Sequence, residues 1–149
     1  MKMNLPRELL EAHLEELASS RKHLDFSFQR VSSLPSTLDG VCDDRLESVE
    51  AFTGRFARAV DLLVNKVLRS LDRLEMKPHG TLLDVVNRAE KRGFIDSADE
   101  LREMKDIRNI VAHDYAGEKL AEIFTYCRTK KPVFDAVCEQ VIRYIHSLE

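Results

Sequence analysis

The sequence predicts an all-α protein, an up-and-down bundle of about five helices with no β-sheet. Three observations predict it. Apolar residues recur at spacings of three and four over long stretches, and no segment alternates apolar and polar residues with period two over strand length. The composition, 44% hydrophobic and 33% charged with only five Gly and four Pro among 149 residues, is that of a helix-rich soluble chain. No internal repeat interrupts the pattern.

The first helix runs from Pro6 to about Leu34. Pro6 suits a first helical turn, and Leu10, Leu14, Leu17, Leu24, Phe28 and Val31 form its apolar stripe. Pro35 stops it, and the Pro, Ser and Gly content from Pro35 to Gly40 reads as a connecting loop. The second helix runs from about Asp43 to Glu75, with a stripe from Leu46 through Phe52, Phe56, Val60, Leu63 and Val67 to Leu74 that calls for a partner along its whole length. Pro78 and Gly80 break it. Thr81 followed by Asp84 is a capped start for a short third helix ending at Gly93, and Ser97 followed by Glu100 reads as a stronger capping box for a fourth. After Ala116-Gly117 a last helical segment runs from Glu118 to the C-terminus, where Pro132 is expected to kink or restart it.

The length fits one domain over residues 1–149. Cys42, Cys127 and Cys138 are odd in number and form no CxxC, which predicts neither a disulfide framework nor a zinc site and places the chain in a reducing cytoplasm. The N-terminus from Met1 to Pro6 leads into a charged helix without the apolar core of a targeting segment, and no run approaches the roughly 18 apolar residues of a spanning helix. A net charge of −3 argues against nonspecific coating of nucleic acid but leaves room for a local phosphate-binding cleft. Local positive charge is expected at Arg88, Lys91, Arg92, Arg102, Lys105 and Arg108, interleaved with acidic residues from Asp84 to Asp106.

The fourth helix carries the chemistry. Projected at about 100° per residue, Leu101, Met104, Ile107, Ile110, Val111, Ala112 and Tyr115 share one broad arc, and Arg108 falls inside it. A guanidinium placed there must find an acceptor or a hydrated cleft. Asn109 and His113, four apart, stack on an adjacent face, with His113 about 140° from Arg108. Side chains that diverge on one helix converge when a second copy packs against the first, so a twofold dimer would line one cleft with two Arg108 and two His113, Asn109 lying close enough to hold the imidazole or a phosphate oxygen. The residue types suit RNA cleavage without metal. An imidazole can move a proton to or from the ribose 2′-OH or the leaving 5′-oxygen, and a guanidinium can brace the charge on phosphorus. No carboxylate cluster or His pair at metal-ligand spacing accompanies them, so no metal is assigned. The same residues also fit a structural role, His113 at the negative end of a helix dipole and Arg108 paired to a buried acid.

The full octet Arg108-Asn109-Ile110-Val111-Ala112-His113-Asp114-Tyr115 is similar to the RNxxAHxY form of the Rx4HxY signature in HEPN toxins of the HepT kind. The likeness extends to the order of helices and covers essentially the whole chain as one HEPN-like helical domain. It implies a metal-independent endoribonuclease toxin acting on cellular RNA as a homodimer with a composite active site, with Arg108 and His113 catalytic and Asn109 supporting. It also implies a partner, a minimal nucleotidyltransferase antitoxin that transfers AMP from ATP to the motif tyrosine, here Tyr115. No cofactor is implied for the ribonuclease. An alternative reading of the same likeness is a non-enzymatic substrate-binding companion of a split nucleotidyltransferase. In the helical projection Tyr115 lies seven residues from Arg108 on the same side, so phosphates added there would obstruct a substrate phosphate. His13, His23, His79 and His146 show no partner at useful spacing, and Lys130-Lys131-Pro132 reads as a basic corner or, more simply, a helix junction.

Overall fold

The computed structural model describes residues 5–148, so the expectation for Met1 to Asn4 lies outside the described residues. Five helical rods make the bundle, and no strand occurs among the described residues. Helix α1 (Leu5–Val31) turns through a loop into α2 (Asp43–Asp61), which passes without a break through a π-helical segment (Leu62–Leu68) into α3 (Arg69–Leu74). Then follow α4 (Leu82–Lys91), α5 (Ala98–His113) and α6 (Leu120–Ser147).

The expected stripes form the core. Leu10, Leu17, Leu24 and Val31 of α1 meet Val49, Phe52, Phe56, Val60, Leu63 and Val67 of the second rod, all at most 1% exposed. That rod is the centre of the bundle, packing on α1, α5 and α6. Aromatic contacts bind the layers: Phe52 meets Phe28 at 5.8 Å and Phe124 edge-on at 6.1 Å, while Phe56 meets Phe134 at 5.8 Å. Cys127 and Cys138 are buried in this apolar interior, which pushes both thiols up to about 12, while Cys42 is exposed.

The helix ends follow local chemistry, with two corrections. Thr81 caps α4 in a reciprocal box with Asp84, as expected. Gly93, at φ 81°, closes α4 with Gly93 N–H donating to Glu90 O and Phe94 N–H to Ala89 O, the paired bonds of a Schellman ending. Ser97 makes no side-chain cap at α5. Glu90 of the preceding helix supplies it, its Oε1 accepting from Ala98 N–H at 2.9 Å, a tertiary bond that local spacing does not reveal. Pro132 neither stops nor restarts the last helix, because α6 continues from Leu120 to Ser147 around it.

Buried ions lock the ends. Asp72 receives Arg92 at 2.6 Å and Arg88 at 3.1 Å, and Arg92 also holds Glu75. Lys131 is only 4% exposed, held by Asp135 at 2.6 Å and Asp25 at 2.7 Å. Lys131 is therefore a neutralised internal cation, Lys130 stands half-buried 3.6 Å from Glu100, and the segment is neither a free basic corner nor a helix junction.

Candidate active site

Helix α5 buries one face over its first part only. Ala98, Leu101, Met104 and Ile107 face the core at intervals of three, and below Ile107 the helix leaves it. Arg108, Asn109, Ile110, Ala112 and His113 are exposed and Val111 half-buried. The broad apolar arc expected from the projection is thus buried only in its first two turns. Its remainder presents Ile110, 39% exposed, beside the polar residues of the octet.

Arg108 finds its acceptor across the bundle. Its guanidinium donates to Asp61 Oδ2 at 2.7 Å, where α2 gives way to the π segment. The same carboxylate receives Lys105 Nζ at 3.1 Å and Asn65 Nδ2 at 2.8 Å on its other oxygen. The guanidinium side chain stays 58% exposed against 22% for Asp61, so the acid anchors one edge of the fork and leaves other donors to solvent. A π segment at this point shifts the register of the rod, and such insertions cluster where side chains must be aimed. Asp61 was not legible as a site residue. The signal available was that Asp61, Asn65 and Arg69 recur every four residues as one polar seam along the rod.

His113 is the last residue of α5, and its Nδ1 lies 2.7 Å from Asn109 O. A carbonyl only accepts, so this bond forms with the proton on Nδ1 and leaves Nε2 as the free nitrogen of the neutral ring. Asn109 therefore serves His113 through its backbone, while its side-chain amide donates to Asp106 at 3.1 Å instead of reaching the imidazole. Asn109, Ile110, His113, Asp114 and Lys119 line a shallow groove.

Tyr115 departs from the helical projection. Asp114, at φ −91° and ψ 64°, ends α5, so the seven-residue repeat that put Tyr115 over Arg108 does not apply. Its ring instead stands edge-on to His113 at 6.3 Å between centroids and is 89% exposed. The Asp114 carboxylate closes the turn by accepting from Lys119 N–H at 3.2 Å. Within one chain the structure brings His113 and Tyr115 together, and Arg108 to Asp61. Among the described residues no three His, Cys, Asp or Glu side chains gather in a metal-binding group, and no helix is long and apolar enough to cross a membrane.

The family described as ribonuclease HepT-like matches residues 35–141, from the loop after α1 through most of α6 and with the whole octet inside it. The chain belongs to the HepT-like ribonuclease family. No curated protein and no solved structure matches it. The HepT-like match begins at residue 35, so it omits α1, which the likeness drawn from the sequence had included.

Proposed function

We propose that this protein is the toxin of a HEPN toxin–antitoxin pair, a metal-independent endoribonuclease of cellular RNA whose active site forms between two copies of the chain. The observation that carries this reading is the presentation of Arg108 and His113 on the exposed end of α5, with Nε2 of the imidazole unengaged. In the reaction the ribose 2′-oxygen bonds to phosphorus as His113 Nε2 takes its proton. The bond from phosphorus to the 5′-oxygen breaks, and the partner's His113 protonates the leaving oxygen. Arg108, held by Asp61, donates to the phosphoryl oxygens as charge builds on them. Both copies are needed because Arg108 and His113 leave the same helix in different directions.

The exposed Ile110 gives that second copy an apolar contact beside the polar residues. The accessible hydroxyl of Tyr115 suits it as the acceptor of AMP from a minimal nucleotidyltransferase, and phosphates there would stand against His113 and repel the substrate phosphate.

Expression of the chain alone tests the catalytic reading. Growth arrest and RNA cleavage should be lost in His113→Ala and Arg108→Ala and should persist in EDTA. Equal activity of all three proteins would rule it out, and an inactive wild type that binds the nucleotidyltransferase would favour the non-enzymatic companion. Intact mass after coexpression with that enzyme should rise by whole AMP units, an increase abolished in Tyr115→Phe.

A further inference from the structure

The polar seam that begins at Asp61 does not end there. Asn65, which donates to Asp61, accepts from Arg69 Nε at 3.4 Å, and Arg69 donates onward to Gly80 O at 2.8 Å. Arg69 stands in the wall of a cavity of about 450 Å³ between the N-terminal half of α1, the π segment with α3, the loop from Lys77 to Gly80, and Arg88 in the last turn of α4. Lys66, Arg69, Arg73, Lys77 and Arg88 line it together with His79 and with His13, whose Nδ1 lies 3.2 Å from Glu16 Oε1, a partner at i+3 that corrects the expectation of none. Its one lining carboxylate among the described residues, Asp72, is 5% exposed and already committed to Arg88 and Arg92. Lys66 and Arg73 are exposed and have no carboxylate within ion-pair distance among the described residues. In a chain of net charge −3, cations gathered in a concave wall with their only acid neutralised constitute an anion site.

We infer that this cavity binds the phosphodiester backbone of the RNA substrate a few nucleotides from the scissile bond, Lys66 and Arg73 holding phosphates while the Asp61–Asn65–Arg69 seam fixes its register to Arg108. The inference rests on the ribonuclease reading and adds the path of the strand. Asp61 and Arg69 are eight residues apart on one rod, on the order of 10 Å, a gap that a few nucleotides bridge. Position, with no base-edge pocket, makes the contact electrostatic and sequence-tolerant.

Binding of a fluorescein-labelled single-stranded RNA to the intact His113→Ala protein, which does not consume the probe, tests it. Adding Lys66→Ala with Arg73→Ala should weaken binding on the order of tenfold, and the slope of log affinity against log salt should become shallower by about 1.4, the counterions of two single-strand phosphates. The paired control Lys22→Ala with Arg30→Ala on α1 makes the same charge change and should leave the slope alone. Restoring basic groups as Lys66→Arg with Arg73→Lys should return most of the affinity. Unchanged affinity and slope in a double variant with wild-type melting temperature would overturn the inference and leave the catalytic reading standing. Loss of ATP binding without loss of RNA binding would also overturn it, as a mononucleotide site. A wild type that neither cleaves nor binds RNA would overturn both.

Discussion

Arg108 and Asp61 divide the labour of one charge. The acid neutralises part of the guanidinium and holds one edge of it, and the exposed donors stay open to solvent, where the proposed reaction places the phosphate. In the proposed reaction Asp61 acts through Arg108, as a positioning residue. Asp61→Ala should lower kcat on the order of tenfold with little change in KM, because a misdirected fork loses more in the transition state than in binding. Asp61→Asn, which keeps an accepting oxygen, should recover most of that loss. Steady-state cleavage beside thermal melting decides it. An unchanged kcat, or a loss that follows only the fall in stability, would remove the role. For stability itself the exposed pair is worth no more than about 1 kcal/mol.

Among the helices, α5 depends on its neighbours at both ends. Glu90 from α4 caps its start, so Glu90→Ala should cost about 1 kcal/mol and lower the melting temperature by about 2–4 °C, whereas Ser97→Ala should do almost nothing, the reverse of what the local sequence suggests. The junction of α3, α4 and α6 carries a pH dependence. Burial pushes the Glu75 carboxyl up, but the Tyr144 hydroxyl at 2.7 Å and the Arg92 guanidinium more than offset this, and the carboxyl is held below its ordinary range. A group whose folded pKa is lowered stabilises above its unfolded value, near 4.3 for a glutamate as a rough reference, and that stability is lost as pH falls through the folded value. Urea midpoints measured from pH 7 down to pH 3 should therefore fall more steeply in the wild type than in Glu75→Gln. Parallel curves would deny Glu75 any part in acid unfolding.

For the whole molecule, a composite site makes a prediction that no single chain can satisfy. Arg108→Ala and His113→Ala proteins, each inactive as a homodimer, should recover a fraction of the activity when unfolded together and refolded: the mixed dimer sets one Arg108 against the one intact His113 of the other copy as base, and without the second imidazole water must protonate the leaving 5′-oxygen. A site complete within one chain would give no recovery. Ile110→Glu should shift the protein toward monomer in sedimentation and reduce activity in a concentration-dependent way, because a charge in an apolar contact opposes association.

Helical period, stripes and breakers specify the bundle because burial of apolar surface is local in its demand: every stripe from Leu10 to Ile145 had to meet another, and each did. The octet was legible because it is a contiguous run of residue types that can be read without knowing what packs against them. Contacts between rods were not. The acceptor for Arg108 lies 47 residues away, the cap of α5 comes from the helix before it, and the basic wall gathers Lys66, Arg69, Arg73 and Lys77 with His13 and Arg88 from three separate stretches. The positive charge expected at Arg88, Arg92, Lys105 and Arg108 is largely spent on Asp72, Glu75 and Asp61, pairings that only packing creates. Sequence alone therefore determined that the chain is a helical bundle and displayed the octet to which the proposed chemistry is assigned. The tertiary structure decided which acid aims the arginine, where the helix end frees Tyr115 to stand by His113, and where unneutralised charge remains, because ion pairing depends on distances between rods that no local pattern encodes.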